Sequence, residues 1–279
     1  MLSRILSTVL LWLVIIGSLW LFGAHAVVWL LTILAALTLH EFYALTEKMG
    51  HKPFRWVGLF FSVLMTAAPY YLTEYLFDGE EFGGFAPIVL AMAMVLFSVR
   101  ILGERDNTNR VETLVSSMLG LLYVPFMLHY LLRVLLLFDD TSGMVACLWI
   151  VAVSKFCDVG ALLTGMAIGK HKMAPNISPK KTWEGAVGGV LISCGVGAAF
   201  AYLAGEYLPE AMTPAVAAIA ALPLALITIV SDLIESAMKR RADIKDTGKL
   251  IPGIGGAFDL TDSLILTSPV AYLIFLFLS

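Results

Sequence analysis

Residues 213–238 read TPAVAAIAALPLALITIVSDLIESAM and hold no ionisable side chain before Asp232. An apolar run of about 20 residues is long enough for a helix to cross the hydrocarbon core of a bilayer. The stretch therefore predicts a transmembrane helix. Its end is unusual, because Asp232 and Glu235 follow directly on the apolar run.

Similar apolar windows recur along most of the 279-residue chain. The nine windows cover residues 5–23, 25–46, 56–74, 85–102, 112–138, 143–169, 184–205, 213–238 and 259–278. Only 14% of the residues are charged, against about a quarter in soluble domains. We predict an all-α integral membrane protein with about nine transmembrane helices, as one continuous membrane domain. Residues 1–140 are expected to form a scaffold and residues 141–279 a catalytic region.

Basic and acidic side chains alternate between successive loops. The basic loops carry Lys48, Lys52, Arg55, Arg100, Arg105, Arg110, Lys170, Lys172, Lys180, Lys181, Lys239, Arg240, Arg241, Lys245 and Lys249. The acidic loops carry Glu74, Asp78, Glu80, Glu81, Asp139, Asp140, Glu206 and Glu210. Because Lys and Arg mark the cytoplasmic side, the N-terminus is predicted to be cytoplasmic and the C-terminus outside. Residues 1–26 resemble a cleavable signal, but their apolar core is long for one, so we expect them to be retained.

Cysteine and histidine give no metal or disulfide pattern. All three cysteines lie within apolar windows without a C-x-x-C pair, and the five histidines are scattered. Inert core cysteines are the expectation.

Ionisable residues enter the apolar windows mainly in the second half. Lys155 and Asp158 are three residues apart and so share a helical face. Intramembrane charges are costly and usually line a water-filled site, which favours a site role for Asp158 and leaves Lys155 open between pairing and site. In the first half Glu41 is the main exception, and we interpret it as a polar contact between helices.

The loop Gly169–Gly189 reads GKHKMAPNISPKKTWEGAVGG and combines four lysines, two hydroxyls and two prolines before a predicted helix. Ser178-Pro179 predicts a turn, and either Ser178 or Thr182 is expected to cap the helix, with Glu184 in its first turn. The free N–H groups of a helix start favour anions. The loop therefore suits a polyphosphate, although a basic cytoplasmic loop with a helix cap would also have this composition.

The eighth window ends in a stripe of polar residues at helical spacing, namely Asp232, Glu235, Ser236 and Lys239. A glycine-rich turn follows, and the last window begins with Asp259 and Asp262. Carboxylates that converge at a membrane boundary, together with substrate phosphates, are typical of a Mg²⁺ site. Helix capping would explain Asp259 alone.

These two regions resemble the phosphatidate cytidylyltransferases, also called CDP-diacylglycerol synthases. The loop SPKKTWEG (residues 178–185) is similar to theirs. The family's C-terminal signature matches at Ser236, Met238, Lys239, Arg240, Lys245, Asp246, Gly248, Ile251, Pro252, Gly255, Gly256, Asp259 and Asp262. The close resemblance covers about residues 150–270.

The resemblance implies transfer of cytidylyl from CTP to phosphatidic acid, with cytoplasmic CTP and a site on the cytoplasmic face of the inner membrane. It implies Mg²⁺ on Asp232, Asp259 and Asp262, and leaves open a monovalent cation and a homodimer. The implied catalytic residues are Lys181, Ser236, Lys239 and Asp259. The implied substrate contacts are Asp158, Ser178, Lys180, Thr182, Glu184, Arg240, Lys245 and Asp246. Neither motif implies a nucleic-acid partner.

Two positions depart from the signature: Ile254 replaces a histidine, and Leu260 replaces an arginine. These two replacements leave the rate of the reaction and the identity of the lipid substrate open. A CTP-dependent cytidylyltransferase or kinase acting on another lipid, such as an isoprenoid, and a catalytically silent homologue therefore stay open as alternatives. An ion-coupled transporter would also use intramembrane acids, but it predicts acids near helix midpoints and matching halves.

Overall fold

The computed structural model describes residues 13–76, 84–103, 109–244, 246–248 and 255–279. The helices of the N-terminal part are α1 (Leu13–Phe22), α2 (Ala24–Lys48), α3 (Arg55–Tyr75), α4 (Phe85–Leu102), α5 (Arg110–Tyr123) and α6 (Pro125–Leu136). Those that follow are α7 (Asp140–Ile168), α8 (Trp183–Ala204), α9 (Pro214–Arg241), α10 (Ala257–Ile265) and α11 (Thr267–Leu278). A short 3-10 helix (Gly205–Tyr207) extends α8.

The described ranges contain eight segments long and apolar enough to cross a membrane, which confirms the predicted all-helical, multi-pass membrane protein. They match the second to ninth sequence windows. The first window lies partly outside the described residues, and α1 is its described part. The orientation of the termini stays a prediction.

Two windows predicted as single helices are each broken in two. The first break falls between α5 and α6, where Pro125 has no N–H to continue the helix. The second lies at Leu266 between α10 and α11, three residues before Pro269. There Thr267 Oγ1 donates to the Ser263 carbonyl at 2.7 Å and Ser268 Oγ to the Leu264 carbonyl at 2.6 Å. These hydroxyls satisfy carbonyl groups that an interrupted helix would leave without donors.

A small antiparallel hairpin precedes α8, and it was not predicted. Strand β1 (Lys172–Ala174) pairs with β2 (Ser178–Thr182) in the register Lys172 to Thr182 and Ala174 to Ser178. The predicted turn at Ser178-Pro179 is therefore wrong, because both residues lie in β2 and the turn covers residues 175–177. Both strands of a two-stranded sheet are edges, where a proline is tolerated.

By packing, the chain divides into two compact units. The first comprises Met1–Leu132 and Arg241–Thr261, and the second Arg133–Arg240 and Asp262–Ser279. In the first, the buried Tyr43 of α2 donates to the Ser117 carbonyl of α5 at 2.8 Å. A Cβ atom on Gly58 or Gly120 would overlap the Tyr43 ring, so these glycines set how closely the helices approach. The predicted division at residue 140 separates a scaffold from a catalytic region, and packing does not test this difference in role.

In the second unit α7 and α8 pack closely along a stripe of small, buried residues on α8: Gly185, Gly189, Ser193, Gly197 and Ala201. A Cβ on Gly189 would lie 2.7 Å from the Cys157 carbonyl oxygen of α7. Ser193 Oγ donates to the Val153 carbonyl at 2.9 Å, and Trp149 Nε1 to the Gly197 carbonyl at 3.1 Å. Small residues at this spacing allow membrane helices to approach closely. The packing of α7 against α8 therefore positions Lys155, which lies on α7, and the hairpin that precedes α8.

Candidate metal and phosphate site

Three carboxylates of the second unit form an acidic group. Asp232 and Glu235 lie on α9 and Asp262 on α10, and each contributes an oxygen within 4.8 Å of the others. Glu235 is 1% exposed, and the side chains of Asp262 and Asp232 are 13% and 27% exposed. Largely buried carboxylates at this spacing repel each other unless cations neutralise them.

Two lysines on separate elements pair with this acidic group. Lys181 Nζ of β2 lies 2.5 Å from Asp232 Oδ2. Lys239 Nζ lies 2.7 Å from Glu235 Oε1, one helical turn further along α9. Both lysines were predicted site residues, and the structure places each beside an acid.

A third lysine approaches from α7. Lys155 Nζ donates to Ser263 Oγ at 2.7 Å and lies 3.7 Å from Asp262 Oδ1 and 4.0 Å from Asp158 Oδ2. Lys155 therefore pairs with Asp158, one of the two predicted possibilities, and also reaches the acidic group, while its membership of a functional site stays a prediction. Ser231 Oγ donates to the Asp262 carbonyl and further ties α9 to α10.

The charges of this cluster are nearly balanced. With Asp158 included, four carboxylates face three ammonium groups, which leaves one formal negative charge. Carboxylate oxygens are the ligands that Mg²⁺ prefers, with metal–oxygen distances of about 2.1 Å, so opposite ligands lie about 4.2 Å apart. Three ligands of an octahedral ion include at least two adjacent pairs, about 3 Å apart, so these oxygens, which lie within 4.8 Å of one another, would move closer together around a bound ion. The donor set therefore fits a divalent cation.

Asp259, the other predicted metal ligand, is hydrogen-bonded within the first unit. Its Oδ2 accepts from Gly256 N at 2.7 Å, Thr247 Oγ1 at 3.1 Å and Thr247 N at 3.3 Å. Gly255 has a φ of 130°, in the region that favours glycine. Asp259 therefore joins Thr247 to Gly256 at the start of α10, and its ligand role stays a prediction.

The hairpin residues have distinct surroundings. Thr182 caps α8 by accepting from Gly185 N at 3.2 Å, which selects it over Ser178 as the cap. Glu184 accepts from Lys170 N at 3.1 Å and lies 2.5 Å from His171 Nδ1, so it holds the chain entering the hairpin. Lys180 is exposed on β2.

The remaining predicted residues lie near the end of α9 and beyond. Ser236 is buried on α9, and Arg240 Nε donates to the Ile177 carbonyl of the hairpin at 3.3 Å. Asp246 is exposed and belongs to the first unit. Lys245 and Ile254 lie outside the described residues, whereas Leu260 is half-buried on α10.

Sequence reasoning did not assign Glu235 as a candidate ligand. Glu235 lies three residues after Asp232, so helical spacing could have indicated it. The approach of Lys155 to Asp262 had no such signal, because it depends on how α7 and α10 pack.

A comparison with known families agrees with the motifs. The model of the Cytidylyltransferase family matches residues 2–278, almost the whole chain. The chain belongs to this family. Several relatives bear the name phosphatidate cytidylyltransferase. That of Bacillus subtilis is 30% identical over 192 residues, covering 69% of this chain and 69% of the relative. That of Rickettsia bellii is 32% identical over 184 residues, covering 65% and 78%.

The mycobacterial relatives match a shorter region. The Mycobacterium bovis protein is 37% identical over 139 residues, which is 49% of this chain and 42% of the relative. The match thus spans about two fifths of that cytidylyltransferase.

Proposed function

We propose that this protein transfers a cytidylyl group from CTP to phosphatidic acid and so forms CDP-diacylglycerol and pyrophosphate. The observation that carries the proposal is the acidic group of Asp232, Glu235 and Asp262 with lysines from three elements beside it. Family membership supports the reaction class. The names of the relatives support phosphatidic acid as the lipid.

In this reaction a phosphate oxygen of phosphatidic acid attacks the α-phosphorus of CTP. The bond from that phosphorus to the oxygen bridging the α- and β-phosphates breaks, and pyrophosphate leaves with the bonding electron pair. Both reactants are anions, so the protein must neutralise charge and align them, more than supply a covalent nucleophile. A cluster that mixes carboxylates and lysines meets both needs.

Asp232, Glu235 and Asp262 are proposed to hold Mg²⁺, with Asp259 kept as a further proposed ligand from the sequence. The bound cation supplies charge neutralisation at the triphosphate. With the cation bound, Lys181 and Lys239 are proposed to pair with substrate phosphates as well as with Asp232 and Glu235. Asp158 orients Lys155, as their 4.0 Å separation supports.

The basic residues of the hairpin and of the end of α9 are proposed to contact phosphates. They are Lys180, Lys181, Lys239 and Arg240, and the same role is proposed for Ser178 of β2, Ser236 of α9, and Lys245 and Asp246 beyond α9. Thr182 and Glu184 contribute by fixing the start of α8, whose N–H groups favour anions.

The proposed location is the inner membrane of a bacterial cell, with the site facing the cytoplasm. Charge segregation between loops supports this orientation, and CTP is a cytoplasmic substrate. A homodimer and a monovalent cation beside Mg²⁺ are consistent with this proposal and are not required by it.

An assay of the purified protein in detergent tests the proposal. Labelled CTP and Mg²⁺ are offered with phosphatidic acid, an isoprenyl phosphate or no lipid, and the Asp262→Asn variant serves as a control. We expect CDP-diacylglycerol and pyrophosphate only with phosphatidic acid, and none from the variant. A product with the isoprenyl phosphate alone would show that the lipid substrate is not phosphatidic acid. The absence of product with every lipid would refute the proposed enzymatic activity.

A further inference from the structure

Glu41 on α2 is a half-buried acid that the proposed reaction does not use. Its Oε2 accepts from Thr247 Oγ1 at 3.0 Å and from the backbone N–H of Phe258 at 2.9 Å. Phe258 lies in the first turn of α10, and Thr247 lies eleven residues before it in the chain. One carboxylate oxygen therefore joins both Thr247 and the start of α10 to α2. The interpretation of Glu41 as a polar contact between elements is confirmed by these bonds.

Two glycines make room for the Glu41 carboxylate. A Cβ atom on Gly248 would overlap Glu41 Oε1, and a Cβ atom on Gly256 would overlap Oε2. In addition, the backbones of Gly248 and Gly256 approach each other, since a Cβ on Gly248 would lie 3.2 Å from Gly256 Cα. The carboxylate thus lies in a space that any larger residue at either position would fill.

Asp259 binds the same threonine as Glu41. Thr247 Oγ1 lies 3.0 Å from Glu41 Oε2 and 3.1 Å from Asp259 Oδ2. A hydroxyl has one hydrogen, so the two carboxylates share a single donor. Gly256 N donates to Asp259 and Phe258 N to Glu41, so two amides at the start of α10 bind different acids. Moving Glu41 therefore changes the hydrogen bonds that orient Asp259.

We propose that Glu41 is a positioning residue for the transfer reaction: it fixes the start of α10 and, through Thr247, the carboxylate of Asp259. This inference rests on the proposed function. A structural contact alone would stabilise the fold and leave turnover unchanged. Positioning additionally predicts that kcat falls when the contact is lost in a protein that is still folded.

The test compares Glu41→Gln with Glu47→Gln. Glu47 is a matched control because it is on the same helix, is exposed, and pairs with Arg55 at 2.7 Å. Two quantities are measured: kcat and KM for CTP in the lipid assay, and amide hydrogen exchange of peptides that cover residues 255–265. Glutamine keeps the size of Glu41 but removes its charge and one acceptor.

For Glu41→Gln we expect kcat to fall roughly 10- to 100-fold, as for a small misplacement of a reacting group, with KM for CTP within about twofold. Exchange at the start of α10 should be faster than in the wild type. Glu47→Gln should match the wild type in both. Faster exchange with unchanged kcat would reduce Glu41 to a structural contact. Unchanged exchange would overturn the inference whatever the rate.

Thr247→Val provides a second route if Glu41→Gln does not fold, because it removes only the shared hydroxyl. We expect the same pattern of lower kcat and faster exchange. An unaltered Thr247→Val protein would overturn the shared-donor geometry. The wild type in the same assay separates the two ideas: an inactive wild type refutes the proposed function, whereas an active wild type with an unaffected Glu41→Gln variant refutes only this inference.

Discussion

Lys181 Nζ lies 2.5 Å from Asp232 Oδ2 and so joins the strand before α8 to the acidic end of α9. The SPKKTWEG motif is therefore in contact with α9 through oppositely charged side chains, four residues before the C-terminal signature begins at Ser236. An amine in this position can neutralise both a metal ligand and a substrate phosphate. The pair brings the hairpin next to the acidic group, and the binding of substrate by the hairpin stays a proposal.

Replacing Lys181 with Gln should lower kcat by about 100-fold, the usual effect of losing one preorganised electrostatic donor. The measurement is the rate of CDP-diacylglycerol formation. Lys172→Gln is the matched control, since Lys172 is an exposed lysine of the same hairpin, and it should retain the wild-type rate. Equal rates for the two variants would remove Lys181 from the site.

The packing of α7 on α8 predicts opposite effects for two glycines of α8. A methyl at Gly189 would meet the Cys157 carbonyl oxygen and Ala161, whereas nothing lies within 4 Å of a Cβ at Gly195. Overpacking costs about 1–3 kcal/mol, while Ala stabilises an open helical position by about 1 kcal/mol over Gly. Thermal unfolding in detergent should show a lower Tm for Gly189→Ala and an equal or higher one for Gly195→Ala. A shared Tm for both variants would refute this packing.

Asp259 and Asp262 lie on one helix, and measuring metal binding by variants of each can distinguish their roles. Asn at Asp262 should abolish turnover and weaken Mn²⁺ binding, measured by electron paramagnetic resonance. Asn at Asp259 should also abolish turnover, and as a ligand it should weaken Mn²⁺ binding by about tenfold or more. Unchanged Mn²⁺ affinity in Asp259→Asn would show that Asp259 is not a metal ligand and leave it only its hydrogen bonds to Thr247 and Gly256.

The departures from the family signature allow a gain-of-function prediction. Restoring Ile254→His together with Leu260→Arg should raise kcat, by about tenfold for each 1.4 kcal/mol of transition-state stabilisation regained. Leu260→Met, which keeps the half-buried position apolar, is the control. A lower rate in the double variant would show that this chain has its own arrangement at these positions.

Much of the fold follows from the sequence, because a bilayer demands apolar runs of a set length. The windows correspond to the described spans, and the Thr182 cap was among the alternatives. The break at Pro125 was not predicted, since a proline can kink a membrane helix without ending it. The hairpin was missed because its strands are too short to show a periodic pattern.

The candidate site was only partly predictable. Asp232, Lys181 and Lys239 were named from motif and spacing, and the structure gives each a charged partner. The approach of Lys155 to Asp262 depends on packing between helices distant in sequence. The contact of Glu41 with Phe258 likewise joins residues more than 200 positions apart, which no local pattern reveals.

The most direct test of a Mg²⁺ site at the acidic group is the Mg²⁺ dependence of CDP-diacylglycerol formation, measured in the wild type and in Glu235→Gln. Glu235 is 1% exposed and belongs to the acidic group, while Glu210→Gln alters an exposed acid as the control. If Glu235 is a Mg²⁺ ligand, Glu235→Gln needs about tenfold or more Mg²⁺ for half-maximal rate, and the curve of Glu210→Gln superimposes on that of the wild type. Superimposable curves for all three proteins would contradict this role of Glu235.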